Sequence, residues 1–249
     1  MQHTNTANRN DYENDALDAQ IEAYWDARSE DFSAHRRQEL TGPNAAAWRT
    51  VLSRHLPKRP LHILDIGTGS GFFAIVLAGE GHQVTGIDMS ADMLHEARAN
   101  SLAFGARATF QKMNAQELAF PDEHFDAIVT RNLTWTLPDA MQAYREWRRV
   151  LKKGGVLLNF DSDYGEQTFS KGGSQASVHA NLADGQISAC NAIKERLRIS
   201  THRRPAWDAF FLESLGFAVE TEADIASRVH LDPALVYDTL PLFAICARK

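Results

Sequence analysis

The chain is predicted to form an α/β fold on a seven-stranded, mostly parallel sheet with helices on both faces. Three observations predict it. Short apolar runs alternate with longer helical stretches between residues 61 and 160. The first of these runs ends in a glycine-rich turn that opens a helix. Two further apolar runs near the C-terminus bring the strand count to seven.

Taken in order, residues 1–14 are polar and are expected to be a disordered tail. From Asp15, Leu17, Ile21, Tyr24, Trp25, Arg28 and Phe32 fall at steps of three and four, which suits an amphipathic helix. Gly42-Pro43 breaks the chain, and a second helix follows with Trp48, Val51, Leu52 and Leu56 on one face, ended by Pro57. Residues 15–57 thus read as an N-terminal helical cap, and residues 58–249 as the main domain. Within that domain, residues 61–66, 83–87, 108–113, 125–130 and 156–160 read as five strands. Helices are expected at 72–78, at 90–101 with Ser90 as N-cap, and at 139–151. Residues 152–155, Lys-Lys-Gly-Gly, look like the basic end and cap of that last helix. From 161 to 204 the pattern lapses into a polar insert with a possible helix at 187–197. A helix at 206–215 and strands at 217–222 and 242–247 complete the chain.

Composition narrows the function classes. Hydrophobic residues make up 44% and charged residues 23%, ordinary values for a globular protein. The net charge of -6 lacks the basic excess of a generic phosphate-binding surface, so no nucleic-acid partner is expected. Cys190 and Cys246 have no metal-ligand spacing and read as reduced packing thiols. The ten histidines are scattered, and no metal is expected. With neither a signal-peptide pattern nor an apolar run of membrane-spanning length, the expected compartment is the cytoplasm. Monomer and homodimer both stay open.

The chemistry is concentrated in Asp65-Ile66-Gly67-Thr68-Gly69-Ser70-Gly71. Glycines permit positive φ and let a ligand approach the backbone at the carboxyl end of a strand. A dinucleotide fingerprint would need its third glycine at position 72, which is Phe72. An acid beside the turn would repel a pyrophosphate but suits a cationic or hydroxyl-bearing ligand. The next strand also ends in an acidic residue, Asp88.

These motifs resemble the class I S-adenosylmethionine-dependent methyltransferases, in particular the small-molecule type related to the ubiquinone and menaquinone enzymes. Asp65, Gly67, Gly69 and Gly71 match that family's first motif, and Val84 to Ser90 its second. Met113-Asn114-Ala115-Gln116 stands where the family often has Asp-Ala-Glu beside the adenine, and this chain has amides at both ends of the triplet. Phe125-Asp126-Ala127-Ile128-Val129 and Arg149 to Gly155 resemble its fourth strand and the entry to its fifth.

The resemblance implies a Rossmann-like domain that binds S-adenosylmethionine. It implies cofactor contacts from Asp65, Gly67, Thr68, Gly69, Gly71, Asp88, Asn114, Ala115 and Gln116, and from Arg131 and Asn132 after strand four. Met89 and Met93 read either as packing or as adenine contacts, and Tyr24 and Ser33 in the cap either as core or as cofactor contacts. Methyl transfer to a small-molecule acceptor by in-line displacement follows, with Trp135 and Tyr24 as an aromatic wall for the cation. Trp135, Tyr164 and His179 are the acceptor-side candidates. Tyr164, His179, His202 and Asp163 are the candidate bases if the acceptor must lose a proton. The insert at 161–204 is expected to form a lid over the acceptor. The rival readings are a nicotinamide oxidoreductase, an RNA or protein methyltransferase, and a non-catalytic S-adenosylmethionine binder.

Overall fold

The computed structural model describes residues 6–170, 183–237 and 239–249, with side chains from Asn14 onward. Three helices come first: α1 (Thr6–Asp26), α2 (Ser29–Thr41) and α3 (Pro43–His55). The main domain then runs β1 (His62–Ile66), α4 (Phe72–Gly79), β2 (Gln83–Asp88), α5 (Ala91–Ala103), β3 (Ala108–Lys112), β4 (Phe125–Arg131), α6 (Ala140–Val150) and β5 (Leu151–Asp161). It closes with α7 (Asp184–Arg196), α8 (Ala206–Ser214), β6 (Ala218–Glu222), α9 (Ala226–Val229) and β7 (Phe243–Arg248).

The strands form one sheet in the order β3-β2-β1-β4-β5-β7-β6, parallel except for β7, which runs antiparallel to β5 and β6. The central strands are buried on both faces, so alternate residues enter opposite cores. Leu64, Ile128 and Leu157 join the core beneath α1 and α6. Ile63, Ala127 and Leu158 join the core beneath α3 and α4, where Trp48 meets Phe73 and Phe160 edge-on at 5.0 Å each. Strand order reverses between β2-β1 and β4, and the carboxyl ends of these strands flank the crevice that such a reversal leaves.

Three boundaries differ from expectation. Helix α1 starts at Thr6, inside the stretch expected to be disordered. The single helix expected through Phe32 breaks at Ala27–Arg28 into α1 and α2. Residues 152–155 are not a helix cap. Leu151 pairs with Phe125 and the register then shifts to Val156 opposite Ala127, so the Lys-Lys-Gly-Gly segment bulges within β5. The bulge is held by the far C-terminus, with Gly154 N–H donating to the Lys249 carbonyl and Lys249 N–H to that of Gly155. Lys152 lies within this bulged segment of the strand, its Nζ 3.1 Å from Asp126.

Among the described residues no helix is long and apolar enough to cross a membrane.

Candidate active site

A hollow opens where β1, β2 and β4 end, roofed by α1 and α2. It encloses about 1220 Å³ of empty space, its mouth included.

The floor is the loop after β1. Gly67 and Gly69 line the hollow with φ of +66° and +52°, a region that β-carbons disfavour. A Cβ on Gly67 would stand 2.8 Å from Leu133, and one on Gly69 would stand 3.1 Å from the Phe32 ring. The tip of β2 is tied to this loop. Gly69 N–H donates to Asp88 Oδ2 at 2.8 Å, and Ser90 N–H donates to Oδ1 at 3.0 Å. Burial pushes the Asp88 carboxyl up to about 6, against the pull of the N–H groups of Ser90, Gly69 and Met89. Met89 and Met93 flank Asp88 on the wall.

Asp65, Thr68 and Gly71 do not line the main hollow. Asp65 lies beneath the loop, accepting from the Thr68 hydroxyl at 2.6 Å and from Ala74 N–H at 3.0 Å. Burial pushes its carboxyl up to about 7. Gly71 sits where a Cβ would press on Ala97 at 3.2 Å, so its bareness serves the packing of α5. These three residues shape the loop from behind. Asp65 and Thr68 do border a small adjoining crevice, together with Gly67, Arg36 and Arg131.

Asn114, Ala115 and Gln116 form the wall after β3. Their amides engage α1: Asn114 Nδ2 donates to Asp18 Oδ2 at 2.9 Å, and Gln116 Nε2 to Oδ1 at 3.3 Å. Gln116 Oε1 accepts from Asp139 N–H at 2.6 Å, beside the start of α6. After β4, Arg131, Asn132, Leu133 and Trp135 continue the wall. Asn132 has a φ of +53°, and its buried Oδ1 has no hydrogen-bond partner among the described residues.

The far end is aromatic. Trp135, Tyr164 and Phe169 lie with centroids 4.8 to 5.4 Å apart. Tyr24, Trp25 and Cys190 complete that chamber, and the Tyr24 hydroxyl accepts from Arg28 at 3.1 Å. A buried polar network stands behind Trp135. Asp161 accepts from the Trp135 N–H at 3.0 Å, from the Thr134 hydroxyl, and from Arg204 at 3.0 Å. Arg204 also forks onto Asp208 at 2.9 Å, and Asp208 receives the Tyr144 hydroxyl at 2.6 Å.

Several expected residues lie elsewhere. Ser33 is fully buried between α2 and α5, accepting from Arg37 and Asn100, and does not reach the hollow. Asp163 accepts from the N–H groups of Gly165 and Arg204, which fixes a turn. His202 stacks on Trp207, with ring centroids 4.6 Å apart, away from the hollow. His179 falls outside the described residues, as does part of the insert expected to form a lid.

The wall also contains residues that sequence reasoning did not assign: Asp18, Arg36, Phe169, Cys190 and Tyr237. Asp18 was within reach, because it shares a helical stripe with Ile21 and Trp25. Tyr237 had no local signal. It is brought in by Asn44, which donates to its hydroxyl at 2.6 Å and accepts from the N–H groups of Leu231 and Asp232. Among the described residues no cluster of three His, Cys, Asp or Glu is placed to hold a metal ion.

Comparison with known proteins fits this geometry. A family described as a methyltransferase domain matches residues 64–159. The chain is 31% identical over 183 residues to a phosphatidylethanolamine N-methyltransferase of Cereibacter sphaeroides, covering 70% of this chain and 86% of that one. It is 32% identical over 158 residues to a ubiquinone biosynthesis O-methyltransferase of Alkalilimnicola ehrlichii, where the match spans 62% of each chain. In fold it is similar to an S-adenosylmethionine-dependent methyltransferase of Aquifex aeolicus, with a TM-score of 0.59 over 87% of this chain and 97% of that one at 19% identity. The glycine loop and strand-tip carboxylate, the sheet order and these likenesses agree: the chain belongs to the class I S-adenosylmethionine-dependent methyltransferases, with S-adenosylmethionine as its cofactor.

Proposed function

We propose that this enzyme methylates a small organic acceptor held in the aromatic chamber, by in-line displacement. The observation that carries the reading is continuity: one lining runs from Gly67, Gly69 and Asp88 to Trp135, Tyr164 and Phe169. The loop end suits the cofactor's nucleoside. Asp88 offers a carboxylate to the ribose hydroxyls, and the bare backbone of Gly67 and Gly69 leaves room beside it. Met89, Met93 and the Asn114–Gln116 wall flank the place for the adenine, and the unpartnered Asn132 Oδ1 is an acceptor available to the cofactor's ammonium group.

The bound cofactor supplies an activated methyl group on a sulfonium. The protein's part is then chiefly alignment and exclusion of water. Trp135 is fixed from behind by Asp161, and its Nε1 donates to the Asn132 carbonyl at 3.0 Å, so the indole couples the acceptor chamber to the cofactor wall. Its ring and that of Tyr24 present π faces that favour a cation by about 0.5–2 kcal/mol. Where the acceptor must lose a proton, Tyr164 is the proposed base among the described wall residues, acting as the phenolate after its own hydroxyl proton has gone to solvent. We further assign the described parts of the insert, residues 161–170 and 183–204, to the cover of the chamber, since Tyr164, Phe169 and Cys190 come from them.

Two features favour a small molecule over RNA or protein. The chamber is walled chiefly by the rings of Tyr24, Trp25, Trp135, Tyr164 and Phe169, with Arg28 engaged by the Tyr24 hydroxyl, which suits a small organic molecule. The names of two relatives refer to ubiquinone and to phosphatidylethanolamine. The test is formation of S-adenosylhomocysteine with panels of small phenols, quinols, amines and thiols, run beside total RNA and a protein extract. Turnover confined to a small-molecule panel is expected. Turnover only with RNA or protein overturns the acceptor class, and cofactor binding without turnover on any panel favours a non-catalytic binder.

A further inference from the structure

The aromatic end of the hollow has a buried cation in its wall. Tyr24 and Arg28 stand one turn apart where α1 ends, and both line the hollow beside Trp25 and Cys190. Arg28 is only 4% exposed. Its Nη1 donates to the Tyr24 hydroxyl at 3.1 Å, and its guanidinium lies 5.9 Å from the ring centroids of Tyr24 and Trp25.

The Tyr24 hydroxyl is also hydrogen-bonded to the Cys190 thiol, which α7 brings across from the insert. Burial and the contact with Cys190 hold the phenol well above its ordinary range, so it stays protonated and acts as a donor. Its O–H is therefore directed at sulfur, a weak acceptor. An oxygen anion is a far stronger one, and a guanidinium beside it adds an attraction that counts for more away from water. The other charges of the described lining belong to the cofactor end. Asp18 is held by the amides of Asn114 and Gln116, and Asp88 by the N–H groups of Gly69 and Ser90. Arg36 and Arg131 share Glu39, at 2.6 Å and 2.9 Å. Among the described residues, the aromatic end thus presents a positive charge and no acid. A protonated amine is repelled there, and a neutral ring leaves the better bond of Tyr24 unmade.

We propose that Tyr24 and Arg28 together seat an ionised oxygen of the acceptor, which makes the acceptor an aromatic ring bearing a phenolate or a carboxylate. The inference deepens the acceptor reading above and rests on it. Tyr24 donates its hydroxyl to the oxygen, exchanging a sulfur acceptor for a charged one. Arg28 supplies the counter-charge and fixes Tyr24 from its other side. The rings of Trp135, Tyr164 and Phe169 take the flat body of the molecule. For a phenol, the same seat favours the ionised form and so eases the loss of its proton. Phenolate and carboxylate present one chemistry, and the experiment separates them.

Calorimetry and difference absorbance on the full chain, saturated with S-adenosylhomocysteine, compare 4-nitrophenol, 4-nitrobenzoate, nitrobenzene and 4-nitrobenzylamine. The wild type is expected to bind at least one of the two anions about tenfold or more tighter than nitrobenzene, and the amine no tighter than nitrobenzene. A phenolate seat lowers the pKa of bound nitrophenol by about one unit, read from its visible band. A carboxylate seat leaves that band in place and favours nitrobenzoate. Arg28→Met should bring the anion to within about twofold of nitrobenzene, with S-adenosylhomocysteine affinity also within about twofold of wild type, and Arg28→Lys should recover part of the preference. Tyr24→Phe, which keeps the ring, should lose several-fold of the same preference. Equal wild-type affinity for the anions and nitrobenzene overturns the proposal even if the methionine variant fails to fold. So does an anion preference that survives Arg28→Met, or a wild-type preference for the amine. If none of the four rings binds, the reading of the chamber as the acceptor site falls instead, and this inference with it.

Discussion

The two ends of the hollow are built by different means. The nucleoside end is made of backbone and strand tips: Gly67 and Gly69 after β1, and Asp88 closing β2, locked together by the Gly69 N–H to Asp88 bond. The aromatic end, where the acceptor is proposed to sit, is made of side chains from separate segments: Tyr24 from α1, Trp135 from the turn after β4, Tyr164 and Phe169 from the loop after β5, and Cys190 from α7. The first is placed by the pairing of two neighbouring parallel strands. The second is placed by packing, and by the Arg204–Asp161–Asp208 network that fixes Trp135. On the proposed reading, a cofactor common to many reactions is held by the half built from strand tips and backbone, and the acceptor by the half built from side chains of separate segments.

The sharpest way to break this comparison is to fill the strand-tip end. Gly69→Val adds a branched side chain at a positive φ, against Phe32 and into the ligand's space, and should abolish S-adenosylhomocysteine binding. Retained binding in calorimetry on a folded variant would detach the loop from the cofactor. The next largest effect is expected behind the aromatic end. Arg204→Met leaves Asp161 and Asp208 buried without their counter-charge, and should cost about 3–5 kcal/mol in denaturant unfolding. A loss below about 1 kcal/mol would mean that the network does not hold the chamber together.

Cofactor affinity should also depend on pH. Burial raises the Asp88 pKa to about 6, and the ionised form is the one that accepts from two hydroxyls. Binding should therefore be full above about pH 7 and weaken as pH falls through 6, toward about tenfold per unit well below it. Asp88→Asn should flatten this profile, which separates Asp88 from Asp65, whose carboxyl is pushed up to about 7. The same raised values act on folding with the opposite sign. The folded state holds these protons more tightly than the unfolded chain, so the two groups favour folding most at acid pH, and their contribution declines as pH rises from about 4 to 7. The smallest effect belongs to the acceptor wall: Trp135→Ala should raise the acceptor KM several-fold with S-adenosylhomocysteine affinity within about twofold, since a π wall contributes about 0.5–2 kcal/mol. A selective loss of cofactor affinity would move Trp135 to the other end.

The same contrast explains how much the sequence disclosed. The sheet, the glycine turn and the acid at position 88 were legible because each is written in consecutive residues with a local physical meaning. The Lys152–Gly155 bulge was not, because Phe125 and the C-terminal Lys249 impose it from a distance. Ser33 read either as core or as a cofactor contact, and it lies in the core, where its hydroxyl accepts from Asn100 on α5. Arg36 and Glu39 carry no local signal of a buried role, because the partner that Glu39 shares with Arg36 is Arg131, remote in sequence. Asp65 belongs to the legible motif, yet its role is to brace the turn rather than to meet the hollow.

The proposed function depends on a carboxylate at the end of β2 gripping the sugar of the cofactor, and titration of S-adenosylhomocysteine into Asp88→Ala measures that grip directly. Loss of two hydrogen bonds to a charged group predicts a Kd raised by about tenfold or more at pH 7.5, in a variant that still melts cooperatively. A Kd equal to that of the wild type would contradict it.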